Sequence, residues 1–221
     1  MDRINEYYSK HAKEYEQIYH RDDPIRQNEQ NKIAEEIKKT FLDRNILEVA
    51  CGTGFWTTFL SQAAKSIIAI DNSDEVLEIA QSKQYKCPIY FLKCDAYNLP
   101  FPECSFDGSL ANFWFSHIPK EKIGLFLNGF HRVLSDGARV FMADNIFIKG
   151  MGGELVRGED GDTYKIRTLE SGEQYRVLKN YYSEEQIVNI FDKSTNLLST
   201  YFGKCFWYVC YEVKKNRHDI I

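Results

Sequence analysis

The stretch Ile46-Leu47-Glu48-Val49-Ala50-Cys51-Gly52-Thr53-Gly54 decides the fold of this chain. Its first four residues predict a buried strand, and its two glycines predict a tight turn. An apolar, helix-like segment over residues 55–64 follows at once. A strand, a glycine turn and a helix in this order are typical of parallel α/β sheets that bind a nucleotide-like ligand beyond the strand ends.

Two features of this turn argue against a dinucleotide. A pyrophosphate site normally has the spacing Gly-x-Gly-x-x-Gly, but no third glycine follows Gly54 at that spacing. Glu48 lies at the strand end, where its carboxylate would repel a pyrophosphate and would accommodate an ammonium or sulfonium group. The turn therefore favours a ligand that carries a positive charge.

Two further acids follow the next two predicted strands. Asp71 ends the strand over residues 66–71, at about the 20-residue spacing from Glu48 that is typical of a ribose-binding carboxylate. Asp95 follows the strand over residues 88–92, where it would accept from the exocyclic amine of adenine while the Ala96 N–H donates to a ring nitrogen. Because parallel strands end on one rim of a sheet, the three acids predict a single site.

These motifs resemble those of class I S-adenosylmethionine-dependent methyltransferases, over about residues 44–145. Within that class the chain is similar to the type 11-like small-molecule methyltransferases, which include quinone-biosynthesis enzymes. The resemblance implies an α/β, Rossmann-like fold, with a seven-stranded, mostly parallel sheet, an antiparallel last strand and helices on both faces. It also implies S-adenosyl-L-methionine as cofactor, S-adenosyl-L-homocysteine as product and a small-molecule methyl acceptor.

The resemblance implies a cofactor site on the rim where the first four strands end. Glu48 would hold the methionine end of the cofactor, Asp71 the ribose, and Asp95 with Ala96 the base. Asn72 would lie beside the adenine, although the family often has an apolar residue there. The predicted cofactor-binding residues are Glu48, Ala50, Cys51, Gly52, Thr53, Gly54, Trp56, Asp71, Asn72, Asp95, Ala96, Tyr97, Asn112 and Phe113.

Three residues are candidates for catalysis. His117 follows the fourth strand, residues 106–111, and is either a general base with a pKa near neutrality or a hydrogen-bonding group of the turn. Asp144 ends the fifth strand, residues 138–144, on the same rim. Tyr8 belongs to a predicted tyrosine-bearing helix. A base is needed only if the acceptor is a neutral hydroxyl or a carbon acid.

Two segments lie outside the motifs, in what we predict to be a single domain over residues 1–221. Residues 1–40 predict two helices, which either cover the sheet or form a lid over the site. Residues 149–180 predict an inserted hairpin that serves as a flap over the substrate, a subunit contact or decoration. Its basic side chains would meet an acidic substrate or form a solvated face; they are Arg157, Lys165, Arg167 and Arg176.

The composition restricts the class of protein. A chain of 221 residues with 43% hydrophobic residues fits one α/β domain, and its net charge of −4 disfavours nucleic acid as a partner. No apolar run approaches the roughly 20 residues of a membrane span, and no signal core is present. We therefore expect a cytoplasmic monomer or homodimer. Six cysteines without a Cys-x-x-Cys motif predict free thiols and no metal site.

Two other functions remain open. An NAD-dependent Rossmann oxidoreductase shares the first strand, turn and helix, but it gives no reason for Glu48, for the Asp95-Ala96 pair or for a closing antiparallel hairpin. A non-catalytic S-adenosylmethionine-binding protein would bind the cofactor without turnover. Methylation of protein or RNA is disfavoured by the acidic net charge and by the sequence Ala111-Asn112-Phe113-Trp114, which lacks the Pro-Pro motif of amino-group methyltransferases.

Overall fold

The computed structural model describes residues 15–169, 172–191 and 195–215. Its larger sheet contains β1 (Asn45–Val49), β2 (Ser66–Asp71), β3 (Ile89–Lys93), β4 (Phe106–Leu110), β5 (Leu134–Asn145), β9 (Thr195–Phe202) and β10 (Phe206–Val213). A smaller antiparallel sheet contains β6 (Leu155–Arg157), β7 (Thr163–Thr168) and β8 (Gln174–Leu178).

Five α-helices accompany these strands in the described residues. They are α1 (Pro24–Thr40), α2 (Phe55–Leu60), α3 (Asp74–Gln81), α4 (Ile123–Arg132) and α5 (Glu184–Phe191). Short 3₁₀ helices lie at Tyr15–Ile18, Phe115–His117 and Lys120–Lys122. Within the described ranges, none of the helices has both the length and the apolar character that a membrane crossing requires.

The larger sheet has the strand order β3-β2-β1-β4-β5-β10-β9. Strands β1 to β5 pair in parallel, whereas β10 is antiparallel to both of its neighbours, β5 and β9. The predicted fold, a seven-stranded, mostly parallel sheet whose last strand is antiparallel, is confirmed. All parallel strands end on one rim, which brings the loops after β1, β2, β3 and β4 together.

Both faces of the sheet are covered, as predicted. Along β10, Phe206 and Tyr208 belong to one apolar cluster, and Trp207 and Val209 belong to another. Because successive strand residues point to opposite faces, the two clusters lie on opposite sides. The first contains residues of α1, α2 and α3, and the second contains residues of α4 and α5.

Several predicted boundaries were wrong. The predicted fifth strand over residues 138–144 was too short, because β5 begins at Leu134 and includes Gly137, whose left-handed φ of +71° accompanies a shift in the register with β4. The helix predicted over residues 55–64 ends at Leu60, where the N–H groups of Gln62 and Ala63 bond three residues back and tighten the chain into a turn.

The two flanking segments were predicted only in part. The predicted hairpin is present as β7 and β8, but the sequence did not indicate β6, which has only three residues. In the first segment, residues 15–18 form a 3₁₀ turn rather than a longer helix, and α1 follows with Asp23 as its N-cap and Pro24 in its first turn. Residues 1–14 of the predicted lid lie outside the described residues.

Helix α1 is fixed to the β9–β10 hairpin by one buried carboxylate. Glu29 is 4% exposed. Its two oxygens accept the backbone N–H groups of Lys204, Cys205 and Phe206 at 2.7, 3.0 and 3.0 Å. The tight turn between the two strands therefore has its donors satisfied by a helix from the other end of the chain.

We expect Glu29→Ala to lower the free energy of unfolding by about 2–4 kcal/mol, because it leaves buried N–H groups without an acceptor. Urea denaturation followed by circular dichroism measures this change. The matched control is Glu35→Ala, which removes an exposed carboxylate from the same helix and should have little effect. Equal effects of the two substitutions would contradict the role given to Glu29.

Candidate functional site

A cavity of about 360 Å³ opens where β1, β2, β3 and β4 end. Its lining includes every predicted cofactor-binding residue except Glu48 and Gly54. Of the three acids that follow neighbouring parallel strands, Asp71 and Asp95 line this cavity and Glu48 does not. The structure adds Tyr19, Phe55 and Trp114 to its walls.

Asp71 ties the end of β2 to the turn after β1. Its Oδ2 accepts the N–H of Gly52 at 2.9 Å, and its Oδ1 accepts the N–H of Ser73 at 3.1 Å. Gly52 has a φ of +55°, and Ala50 reaches a φ of +54° although it carries a Cβ. Burial raises the pKa of Asp71, and the backbone donors act in the opposite direction. Each carboxylate oxygen keeps a lone pair for a ligand.

Gly54 has a packing role at this turn. It adopts a φ of +79°, and a Cβ at this position would overlap the Tyr85 hydroxyl and crowd Ala80 of α3. The glycine thus allows α2 and α3 to approach each other, which explains why it does not line the cavity.

Glu48 is a buried carboxylate under the turn. It is 2% exposed, and its Oε2 has no hydrogen-bond partner among the described residues. Burial raises its pKa to about 8, and the nearby Asp71 charge adds to this rise. Since an unpaired buried acceptor is unfavourable, the site fits a ligand that brings a cationic donor to this oxygen.

Four buried donors at the cavity also lack partners among the residues that the structure describes. They are Trp56 Nε1, Tyr97 Oη, Asn112 Nδ2 and Trp114 Nε1, and all four residues line the cavity. The other side-chain group of Asn112 is used, because its Oδ1 accepts the N–H of Ala143 at 3.1 Å. Buried polar groups in native proteins are nearly always hydrogen-bonded, so this set indicates a polar ligand.

Aromatic rings form one wall of the cavity. Tyr19 stacks on Phe55 with 3.9 Å between ring centroids, and Trp56 stacks on Phe113 at 5.6 Å. Phe113 has a φ of +58°, in the left-handed region that side chains rarely adopt. Ring faces attract cations, so this wall suits a sulfonium. Phe55 was not predicted as a site residue, although its position directly after the glycine turn would have indicated it.

Asp95 and Ala96, which follow β3, both line the cavity. Asp95 is exposed at the cavity mouth, and its Oδ1 accepts the N–H of Tyr97 at 2.9 Å. Ala96 is buried beside it and lines the cavity. The small side chain of Ala96 leaves room for a planar ring against the backbone.

A second cavity of about 440 Å³ adjoins the first. The two share the side chains of Tyr19, Phe113 and His117. The Nδ1 of His117 lies 2.7 Å from the carbonyl oxygen of Leu178, so Nδ1 carries the proton and donates. Burial and the charge of Lys179 lower the pKa of His117 to about 3, which makes the ring a neutral and weakly basic group.

Asp144 lies behind Lys179 rather than in a cavity. It is fully buried, and it accepts from Lys179 Nζ and from the N–H of Ser116, each at 2.9 Å. Burial opposes ionisation, but Lys179 holds the pKa of Asp144 below its usual value. Lys179 lines the second cavity. A catalytic role of Asp144 stays a prediction. Its hydrogen bond to Lys179 Nζ fixes the position of the Lys179 ammonium group. Tyr8, the third candidate, lies outside the described residues.

Metal chemistry finds no support in the described ranges. No group of three or more His, Cys, Asp or Glu side chains is arranged there to hold an ion.

Comparison with known proteins agrees with this geometry. A methyltransferase domain model matches residues 46–137, which span β1 to the start of β5. The O-methyltransferase rstn1 of Aspergillus nomiae is 28% identical over 170 residues, which cover 71% of this chain and 74% of that protein. The demethylmenaquinone methyltransferase of Staphylococcus epidermidis is 36% identical over 98 residues. This match covers 42% of the present chain and only 40% of that relative's length.

A solved structure extends the similarity to the whole fold. The DhpI-SAH complex superposes with a TM-score of 0.80 at 21% identity, and the match covers 97% of both chains. Its similarity therefore includes the smaller sheet, which lies beyond the part that the domain model matches. Residues 46–137 thus match a methyltransferase domain, and the strand order of the larger sheet is similar to that of class I S-adenosylmethionine-dependent methyltransferases.

Proposed function

We propose that the protein transfers a methyl group from S-adenosylmethionine to a small-molecule acceptor, with the cofactor in the first cavity and the acceptor in the second. The observation that carries the proposal is the unpartnered Oε2 of Glu48, which is buried next to a cavity whose wall contains further unpartnered polar atoms. This arrangement suits a ligand with an ammonium group, a sulfonium and many hydrogen-bonding atoms. When bound, the sulfonium supplies an electrophilic methyl group.

Each predicted residue then has a role that its position permits. Glu48 holds the ammonium of the methionine end, and Asp71 accepts the ribose hydroxyls with its remaining lone pairs. Asp95 and the Ala96 N–H bind the base. Gly52 and Thr53 keep the backbone close to the ligand, whereas Gly54 acts through packing against Tyr85.

The boundary between the cavities determines the reaction geometry. Because Tyr19, Phe113 and His117 belong to both linings, an acceptor in the second cavity approaches the methyl group past these three side chains. Holding both reactants in line supplies most of the acceleration in such a transfer. His117 is neutral with a protonated Nδ1, its Nε2 lies 3.5 Å from Lys179 Nζ, and its low pKa makes it a poor general base.

The alternatives fit less well. A nicotinamide cofactor would bring a pyrophosphate close to Asp71, whose carboxylate would repel it, and would supply no cationic donor to Glu48. A non-catalytic binding protein would need no second cavity joined to the first. Turnover across a panel of acceptors distinguishes binding from catalysis.

We expect Asp71→Ala to weaken the binding of S-adenosylhomocysteine by about 30- to 150-fold, because a bidentate, charge-assisted ribose contact contributes about 2–3 kcal/mol. Titration calorimetry measures the change. Asp74→Ala is the matched control, since Asp74 is exposed in the next helix and pairs only with Lys93 among the described residues. Failure of the folded wild-type protein to bind S-adenosylhomocysteine would overturn the proposed function.

We also expect the binding of S-adenosylhomocysteine to release a proton from Glu48. With a pKa of about 8, this carboxyl is mostly protonated at neutral pH, and an ammonium ligand requires the ionised form. Affinity should therefore rise from about pH 6 to 7.5, by up to about tenfold per pH unit. Calorimetry in two buffers with different ionisation enthalpies reports the released proton directly.

Glu48→Gln is the variant that tests this assignment. It keeps the size of the side chain and removes its ionisation, so both the proton release and the pH dependence should disappear. If the wild type releases no proton near neutral pH, Glu48 does not hold the ammonium group.

A further inference from the structure

We propose that the second cavity binds an oxyanion, so that the methyl acceptor is a small molecule with a carboxylate or phosphoryl group. The assignment of this anion to an acceptor rests on the proposed function, whereas the cavity's preference for anions can be measured independently. Three features support this proposal: the cations that line the cavity, the lack of ion pairs to its arginines among the described residues, and the junction with the first cavity.

The cavity is lined by cations from three separate parts of the chain. Arg21 and Arg26 come from the segment that leads into and begins α1, Arg167 comes from β7, and Lys179 follows β8. Among the described residues of the lining there is no Asp or Glu. Four converging cations without a carboxylate in the same wall create a strongly positive field in a concave site.

Arg26 is the most informative of these residues. Its side chain is 6% exposed, and its Nε has no hydrogen-bond partner among the described residues. The guanidinium lies 4.5 Å from the ring centroid of Phe206, and Nη2 donates to Asn145 Oδ1 at 3.5 Å. Nη1 also makes a weak contact with Met151 Sδ at 4.0 Å, and the Cys205 side chain lies close to the guanidinium. Burial lowers the pKa of Arg26, as expected for a charge that lacks a compensating partner.

Arg167 lines the same cavity from β7. Its guanidinium packs against Gly152, where a Cβ would come within 2.8 Å of Nη1, so this glycine leaves the space that the guanidinium needs. Gly152 has a φ of +73°, which also favours glycine. Within the described residues, neither Arg167 nor Arg21 donates a side-chain hydrogen bond or forms an ion pair. Their donors are thus available to a ligand.

Lys179 is the only cation of the set with a carboxylate partner in the described structure. Asp144 neutralises it from behind, and Ser116 Oγ accepts a second bond from Nζ at 2.7 Å. His117 also faces this group and is neutral at physiological pH, since its pKa is about 3. The three arginines therefore give the cavity its excess positive charge, whereas the Lys179 ammonium is surrounded by Asp144, Ser116 and His117.

The position of this positive charge connects it to the acceptor. Tyr19, Phe113 and His117 separate the arginines from the first cavity and belong to the lining of both. An oxyanion held by Arg26 and Arg167 would place the rest of a small acceptor, or one of its own oxygens, at this junction. Arginine is well suited to such a task because its planar fork matches carboxylate and phosphoryl oxygens.

The test is an NMR titration of the full-length protein, saturated with S-adenosylhomocysteine, at constant ionic strength. The probes are inorganic phosphate and acetate, with acetamide as the uncharged counterpart of acetate. We expect the wild type to bind phosphate or acetate but not acetamide. The preferred anion identifies the acceptor group as phosphoryl or carboxylate.

Two variants remove the charges while keeping the side-chain length, Arg26→Met and Arg167→Met. Each should weaken anion binding by about tenfold or more, as expected for a lost charge-assisted contact. Arg157→Met is the matched control, because Arg157 is exposed on β6 and does not line the cavity. If Arg26→Met fails to fold, Arg167→Met decides alone, since Arg167 is only partly buried.

The proposal is overturned if the wild type binds neither anion better than acetamide, or if Arg167→Met binds them as tightly as Arg157→Met does. The same experiment tests the proposed function and the oxyanion site separately. Anion binding without any affinity for S-adenosylhomocysteine would discard the proposed function and keep the oxyanion site. Tight binding of S-adenosylhomocysteine without anion binding would discard the oxyanion site and keep the proposed function.

Discussion

The contact between Asp71 and Gly52 is the constraint on which the site depends. It joins the ends of two adjacent parallel strands and holds the turn after β1 in a left-handed conformation. This turn also covers Glu48, and it sets the direction in which α2 leaves the sheet. One carboxylate therefore shapes the first cavity and also presents oxygen atoms to it.

The polar groups around this turn form a set that only a ligand completes. A buried carboxylate, a buried amide and several indole and phenol donors lack partners within the described structure. A protein that had to be stable only by itself would pair such groups or replace them with apolar side chains. The second cavity is similar in this respect, because its lining contains three arginines and, among the described residues, no Asp or Glu. Both cavities thus contain polar or charged groups that have no hydrogen-bond or ion-pair partner among the described residues.

The sequence predicted the part of the site that is organised by local patterns. The end of β1 and the bounds of β2 were correct because short apolar runs end there at turn residues. The acids at the ends of β1, β2 and β3 come together because these strands are parallel. The start of β5 was missed because Gly137 makes a bulge that resembles a turn in the sequence. The positive cavity was not predicted because Arg26, Arg167 and Lys179 are brought together by contacts between distant segments. The hydrophobic periodicity of the sequence does not indicate that Lys179 is buried and pairs with Asp144.

The central position of β10 has a consequence for the order in which the molecule assembles. Every other strand of the larger sheet precedes residues 206–213 in the chain, yet β10 lies between β5 and β9 in that sheet. During synthesis, β5 must therefore wait with an unpaired edge until almost the whole chain has left the ribosome. The Glu29 carboxylate, which is made among the first residues, finds its three donors only then. Such long-range closure favours slow folding and a long exposure of a central apolar edge.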